Sequence, residues 1–142
     1  MSRITLDQAN AIIAGAFKAR QDLGLKPLAV VVLDAGGHPL AYQRQDGVSS
    51  GRFQVATGKA SGALFLGMSS RAIEEAAITR PVFVAAIGPI SPSGVVPAAG
   101  GVIVVDETGG PIGAVGISGD TADNDEACAL AGIAAAGLKA QG

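Results

Sequence analysis

The sequence has 142 residues, a length that suits one domain built around one core. Apolar residues make up 49% of it, but Trp is absent and only 15% of the residues are charged, so the core must consist mainly of small and aliphatic side chains. A net charge of −2 without a basic stripe argues against nucleic-acid binding, and a single Cys excludes an internal disulfide and a Cys/His zinc site.

The first residues, MSRITLDQAN, lack the apolar core of a signal peptide, and no apolar run approaches the length that spans a membrane. We therefore expect a cytoplasmic protein with no membrane partner. Because charge is scarce and apolar residues are abundant, part of the apolar surface should be covered by further copies of the chain. The composition thus favours a homo-oligomer.

Hydrophobic periodicity and turn residues divide the chain into helices and strands. The first helix has the clearest ends, because Thr5 and Gln8 fit a capping box and Gly24 follows the last apolar position. His38 lies at the tip of the first hairpin, in the turn Gly-Gly-His-Pro, where we expect it to be exposed. In chain order, the predicted elements are a helix at 5–23, strands at 28–34 and 39–44, helices at about 49–67 and 69–78, strands at 82–88, 102–106 and 111–119, and a helix at 123–140.

Hairpins at both ends of this strand set predict a largely antiparallel, five-stranded sheet. Helices must cover one or both faces of that sheet, which gives a layered α/β domain of the mixed α+β type. No repeat or linker divides the chain, so we expect residues 1–142 to form a single domain. In the last helix, Asp123 and Glu126 fit a capping box, and Cys128 is expected to pack in the core among alanines.

Three segments together resemble the GlcG/HbpS family, which includes the C-terminal domain of PduO-type proteins. They are VVLDAGGHPLAYQRQDG, ATGKASGALF and PAAGGVIVVDETGGPIGAVGISGDTADNDEACALAGIAA. The resemblance runs through nearly the whole chain, and it implies a profilin-like fold and homo-oligomerisation. Some members of the family bind or degrade haem and others occur beside catabolic genes, so the resemblance makes haem a candidate ligand.

The scarce charge is concentrated between the second strand and the middle of the next helix. The resemblance places Arg44, Asp46 and Gly47 on the family's Arg-x-Asp-Gly element and Lys59 on its helix lysine. Lys59 shares a helix face with small side chains, so we expect its amine to be partly desolvated and able to act as a base or to hold an anion. Arg44 could clamp a carboxylate, with Phe53 as a further ligand contact. The structural alternative is an ion pair of Asp46 with Arg44 or Lys59.

Two further segments carry candidate residues. In PAAGG, Pro97, Gly100 and Gly101 belong either to an anion-binding nest of backbone N–H groups or to a plain loop. Glu126 is a candidate general acid or base, although acidic residues at a helix start also serve as caps. No metal site is predicted, because the acidic residues near Glu126 do not have EF-hand spacing. His38 is the obvious candidate ligand for a haem iron, although a hairpin tip is normally solvated.

These patterns predict an oligomeric protein that binds a small anionic molecule, haem or an organic acid, near a subunit boundary. They require Arg44, Lys59 and the 97–101 loop to converge on one hollow. The alternative is a cofactor-independent catabolic enzyme, an isomerase, lyase or hydrolase, in which Lys59, Glu126 and Asp46 act on a small organic acid by acid/base catalysis. A purely structural subunit is the third hypothesis, so whether the chain is an enzyme stays open at this point.

Overall fold

The computed structural model describes residues 2–142. Over the described range the elements are α1 (Leu6–Leu23), β1 (Ala29–Asp34), β2 (Pro39–Arg44), α2 (Arg52–Leu66), α3 (Ser70–Thr79), α4 (Pro81–Ile90), β3 (Gly101–Val105), β4 (Pro111–Ser118), α5 (Ala122–Ala135) and β5 (Lys139–Ala140). The strands form one antiparallel sheet with the order β2-β1-β4-β3-β5.

Helices cover both faces of the sheet, which confirms the layered, profilin-like architecture predicted from the sequence. Side chains alternate in direction along β1, so its residues face the two sides of the sheet in turn. Val30 and Val32 pack with α1 and α5, whereas Val31 and Leu33 pack against α2. Helix α3 continues the α2 layer, and α4 packs mainly on α3 at the periphery. No helix within residues 2–142 combines the length and the apolar character needed to cross a bilayer.

Glycines allow the helices to lie unusually close to their neighbours. A Cβ atom at Gly116 of β4 would overlap the carbonyl oxygen of Ala56 in α2, and one at Gly101 would overlap the carbonyl oxygen of Lys59. On the other face, a Cβ at Gly132 would overlap the carbonyl oxygen of Ile12. The abundance of small residues is therefore explained by backbone-to-backbone packing on both sides of the sheet.

The local signals at most helix ends are confirmed. Thr5 and Gln8 form the capping box of α1, and Gly24 ends that helix in the left-handed conformation with φ of 66°. The capping box predicted for Asp123 and Glu126 is wrong. Helix α5 begins earlier, because the side chain of Thr121 accepts the N–H of Asn124 and takes the N-cap position.

One predicted strand is wrong, and another strand takes its place in the sheet. The apolar run at 82–88 lies in α4, because a short apolar run fits a helix as well as a strand and Pro81 starts this one at its first position. The fifth strand is Lys139–Ala140, which the sequence pattern placed at the end of the last helix. Helix α5 ends at Ala135, and Gly137, with φ of 71°, turns the chain back along β3.

Candidate functional site

Helix α2 borders two regions of opposite character. On its sheet side lies what we call the sealed cluster, formed by Lys59, Asp125, Ile117, Gly100 and Gly101. Along its flank lies what we call the α2 groove, a depression between α2, the first hairpin and residues 92–93. The residues predicted from the sequence are distributed between these two regions and the surface.

Lys59 is buried in the sealed cluster, where it is 3% exposed. Its Nζ donates to the carbonyl oxygen of Ile117 at 2.9 Å and to Asp125 Oδ2 at 3.1 Å. The other oxygen of Asp125 accepts the N–H of Asp120 at 2.9 Å. The Lys59–Asp125 pair therefore joins α2 to the start of α5, and both charges are satisfied within the fold.

The glycine-rich loop closes over Lys59. Gly100 has a φ of 128°, and a Cβ there would lie 2.9 Å from Lys59 Nζ. Two N–H groups of the supposed anion nest already have protein partners, since Gly101 donates to Ser70 Oγ at 2.6 Å and Ala99 donates to Glu74 Oε1 at 3.2 Å. The structure thus brings Lys59 and the loop together, but the space between them is filled, and Pro97 at the start of the loop is exposed.

Arg44 and Asp46 lie apart from the sealed cluster. Both are exposed, Arg44 at the end of the edge strand β2 and Asp46 in the turn that follows. Among residues 2–142, neither of them forms a salt bridge. The internal ion pair expected for Asp46 is therefore formed instead by Lys59 with Asp125.

Asp125 is the buried carboxylate that the sequence analysis did not single out. Its position among the acidic residues near Glu126 is typical of a helix start, yet it is 1% exposed. A usable signal was present, because Cys128 and Ala129 follow it by three and four residues and are predicted core positions. Their shared helix face indicates that Asp125 points into the protein.

Glu126 holds two helices together. Arg71 Nε donates to both of its carboxylate oxygens at 3.0 Å, and Arg71 Nη2 lies 2.6 Å from Asp123 Oδ1. The hydrogen bond to Asp123, followed by that to Glu126, raises the pKa of Arg71 above its usual value. Glu126 thus joins α5 to α3, and it does not line the groove. Lys59, Asp46 and Glu126 occupy three separate places.

The α2 groove consists of two adjoining cavities of about 340 and 270 Å³, a size typical of small-molecule sites when taken together. They share Gly37 and Ser93 and are therefore adjacent. The first is lined by Val31, Leu33, Gly37, Pro39, Phe53, Gln54, Thr57 and Ser93. The second is lined by Ala35, Gly36, Gly37, His38, Ser61, Leu64, Phe65, Pro92 and Ser93.

The walls of the first cavity are mainly apolar, and one polar group beside it has no partner among the described residues. Phe53 packs edge-on against Tyr42 with ring centroids 4.7 Å apart, which fixes one wall. Thr57 Oγ1 is buried and has no hydrogen-bond partner within residues 2–142. A buried hydroxyl without a hydrogen bond lowers the free energy of unfolding by about 1–3 kcal/mol. The ligand-free protein therefore leaves one polar group beside this depression without a hydrogen bond.

Two larger cavities, of about 600 and 500 Å³, lie around residues 2–5, and the second of them also reaches Ala35 and Gly36 of the first hairpin. The larger one is bordered by exposed charged side chains, among them Arg3, Glu107 and Lys139. Small-molecule sites are usually lined by apolar side chains with a few converging polar groups. The α2 groove has this character, and it is the candidate site.

The fold and the groove define a layered α/β domain with an apolar depression beside one central helix. Residues 4–134 match the family model described as "Haem degrading protein HbpS-like", and the chain belongs to the HbpS-like family. This confirms the resemblance seen in the sequence. No match was found among the curated proteins.

Several solved structures share the fold. A double mutant of Streptomyces reticuli HbpS is 26% identical, with a TM-score of 0.81 over 94% of this chain and 87% of that one. The complex of PduOC with haem is 21% identical, with a TM-score of 0.86 over 99% of this chain and 100% of that one. The Klebsiella pneumoniae protein ORFY is 24% identical, with a TM-score of 0.85 over 96% and 93% of the two chains.

Proposed function

We propose that this protein is a homo-oligomer that binds haem in the α2 groove. The family description and the structural neighbour that was solved as a haem complex support haem as the ligand. The observation that carries the proposal is the groove itself, two adjoining apolar cavities along one helix. A flat macrocycle buries apolar area against such walls, and this is the main source of its binding free energy.

The residues of the groove fit such a group. Val31 and Leu33 lie at the floor and are already almost completely buried, whereas Phe53 offers an aromatic ring that is 40% exposed. Phe65, in the second cavity, is 43% exposed. Rings that are part covered and part open in the free protein gain further burial when a planar ligand packs on them. These residues would hold the macrocycle, and haem would supply a redox-active iron at this place.

Arg44 supplies a charge for the carboxylates that haem carries at its edge. Tyr42 contacts Phe53, and Arg44 lies two residues further along β2, so strand alternation places it on the same face of the sheet. Its guanidinium has no salt-bridge partner within residues 2–142, and such a group can bind a carboxylate with two hydrogen bonds. Lys59 cannot also pair with a haem carboxylate, because its amine is already paired with Asp125.

Haem fits better than a small organic acid, the other ligand predicted from the sequence. No Lys or Arg lines either cavity of the groove. A small acid would bring its charge into apolar surroundings without a partner, which costs free energy. Haem keeps its carboxylates at one edge and buries only its apolar body.

An apolar face beside the groove supports the homo-oligomer. Ile78, Val82 and Ile90 are 78%, 83% and 67% exposed, and they lie on α3 and α4. Large exposed apolar side chains on two adjoining helices are typical of protein interfaces. Because α4 leads directly into residues 92–93, which line the groove, a neighbouring copy on this face would bring a subunit boundary to the site. Light scattering should show more than one copy, and a monomeric protein would contradict this part of the proposal.

A haemin titration tests the proposed function. We expect micromolar haemin to bind with a shift of its Soret band, and Phe53→Ala to weaken the affinity by about tenfold through the loss of buried aromatic area. Leu130→Ala is the matched control, because Leu130 is 43% exposed but lies on α5, across the sheet. No Soret shift with the unaltered protein, or equal losses in the two variants, would overturn the proposal.

A further inference from the structure

A cavity of a different kind lies at the start of α2, and we call it the basic cavity. Its volume is about 210 Å³, and it shares no residue with the two cavities of the α2 groove. Lys26 and Arg52 line it, Ser49 adds a hydroxyl, and the remaining lining residues are Gly, Pro and Val. The basic cavity therefore brings two cations together without a carboxylate in its lining.

The guanidinium of Arg52 is held in place from inside the fold. Its Nη1 donates to Ser118 Oγ at 2.9 Å, and Ser118 is completely buried at the end of β4. This is the only hydrogen bond that the side chain forms within residues 2–142, so most of its N–H groups have no protein partner. Arg52 is half-buried, and no carboxylate of the described chain forms a salt bridge with it.

Lys59 shows how the same helix treats a cation that serves the fold. It lies seven residues after Arg52, so the two side chains leave nearly the same face of α2. Both reach the end of β4, where Lys59 donates to the carbonyl oxygen of Ile117 and Arg52 to Ser118. Lys59 also has a carboxylate partner, Asp125, at 3.1 Å. Arg52 has a neutral partner alone, and the basic cavity beside it has room for an anion.

Two carboxylates lie next to lining residues in the sequence, but neither of them lines the cavity. Asp46 is exposed. The oxygens of Asp120 are occupied, because they accept the backbone N–H groups of Lys26 and Thr121, each at 2.9 Å, and the side-chain amide of Asn124 at 2.7 Å. Since Asp120 lies close to Lys26, it offsets part of that charge. We therefore expect the arginine to be the stronger of the two contacts for an anion.

The start of α2 adds to the positive character of the cavity. Gly51 at the N-cap has no side chain that could cap the helix, and the first turn contains no acidic residue. The positive end of the helix dipole is therefore not offset within the helix, and such a helix start favours phosphate.

Phosphate matches this combination of groups. It carries about two negative charges at neutral pH and several acceptor oxygens, and a guanidinium binds it with two parallel hydrogen bonds. We infer that the basic cavity binds a phosphate group, either as free phosphate or as part of a small phosphorylated molecule. Arg52 is its bidentate contact and Lys26 the second cation. This site is separate from the α2 groove and does not depend on the proposed binding of haem.

The test is a calorimetric titration of the full chain with inorganic phosphate at constant ionic strength. We expect a dissociation constant on the order of 1 mM. Arg52→Met keeps the aliphatic length but removes the guanidinium, and it should weaken the affinity by at least about tenfold, whereas Lys26→Met should weaken it by about threefold. Lys18→Met is the matched control, because Lys18 is an exposed lysine that pairs with Asp22 on α1, and it should leave the affinity unchanged.

A second set of variants keeps the test valid if Arg52→Met folds poorly. The double variant Arg52→Met/Ser118→Ala removes both partners of the buried hydrogen bond, so it should recover stability and still bind phosphate at least about tenfold more weakly. Arg52→Lys keeps the charge but not the planar fork, and it should have an intermediate affinity. Circular dichroism and thermal melting establish that the variants are folded.

Two further ligands define what the cavity accepts. Glycerol phosphate that binds more tightly than inorganic phosphate supports a small phosphorylated molecule as the ligand, and the reverse order supports free phosphate. Acetate brings a single negative charge, so it should bind at least about tenfold more weakly than either. Acetate that binds as tightly as phosphate would overturn the assignment to phosphate.

The remaining outcomes decide whether the site exists. No binding of phosphate by the unaltered protein, or equal affinities in Arg52→Met and Lys18→Met, would overturn the inference. Haemin affinity in Arg52→Met should stay within about twofold of that of the unaltered protein. A parallel loss of haemin and phosphate binding would assign Arg52 to the haem site and would overturn the separate cavity. Failure of haemin to bind contradicts the proposed function alone, because phosphate binding is measured without haem.

Discussion

The two sides of helix α2 use polar groups in opposite ways. In the sealed cluster, Lys59 and Asp125 are almost completely buried, and each polar atom has a partner. In the α2 groove, Thr57 has a buried hydroxyl with no partner among residues 2–142, and Phe53 is partly exposed. The buried charges of the sealed cluster therefore stabilise the fold. Of these two regions, the α2 groove is the one with groups that are still free to contact a ligand.

This difference has a physical origin. Moving a charge out of water costs several kcal/mol, so a buried lysine persists only where a carboxylate and a carbonyl oxygen repay that cost. Groups used in this way are not free to bind a ligand. A groove lined by apolar side chains requires no such compensation, and it gains free energy when a ligand removes its surface from water.

The largest effect is expected for the sealed cluster. Lys59→Met leaves Asp125 buried without its cation, so the free energy of unfolding should fall by about 3–5 kcal/mol in urea denaturation. The double variant Lys59→Met/Asp125→Asn removes both charges and keeps an oxygen for the N–H of Asp120, and it should recover most of the loss. If Lys59→Met had normal stability but no longer bound haemin, the sealed cluster would serve binding and not stability. That result would contradict the contrast drawn between the two regions.

Cys128, which lies beside this cluster on α5, gives an intermediate, pH-dependent effect. Burial, together with the nearby charges of Asp125 and Asp120, raises the pKa of its thiol from 9.0 to about 11. The unfolded chain then loses this proton first, so the contribution of Cys128 to stability is present below about pH 9 and disappears as the pH rises towards about 11.

The measurement is urea denaturation at about pH 8 and about pH 10.5, on the unaltered protein and on Cys128→Ala. Lysine and tyrosine side chains also titrate in this range, so the difference between the two proteins is the quantity of interest. We expect the unaltered protein to lose more stability than the variant. Equal losses in the two would show that the thiol is not shielded in the folded state.

The smallest effect is expected in the groove, and it has the opposite sign. Thr57→Val replaces an unpaired hydroxyl by a methyl group of similar size, so the free energy of unfolding without ligand should rise by about 1 kcal/mol. Thr57→Ser keeps the hydroxyl and is the control that should show no gain. A loss of stability in Thr57→Val would mean that the hydroxyl is already satisfied in the free protein.

The features that were predicted correctly from the sequence depend on local sequence signals. The caps at Thr5 and Gly24 and the exposed hairpin tip at His38 each depend on a few neighbouring residues. The composition of the run at 82–88 fits a strand as well as a helix. Only the packing of α4 on α3, and the pairing of Lys139–Ala140 with β3, decides between them.

By itself, the sequence determined the layered antiparallel architecture, most helix ends and the family, because these depend on local patterns of apolar, capping and turn residues. The tertiary structure alone decided where the charges and the groove lie. Asp125 meets Lys59 across 66 residues of chain, and the groove is assembled from the first hairpin, α2 and residues 92–93. Contacts between distant segments depend on how the layers of the fold pack together, so they cannot be predicted from any short stretch of the sequence.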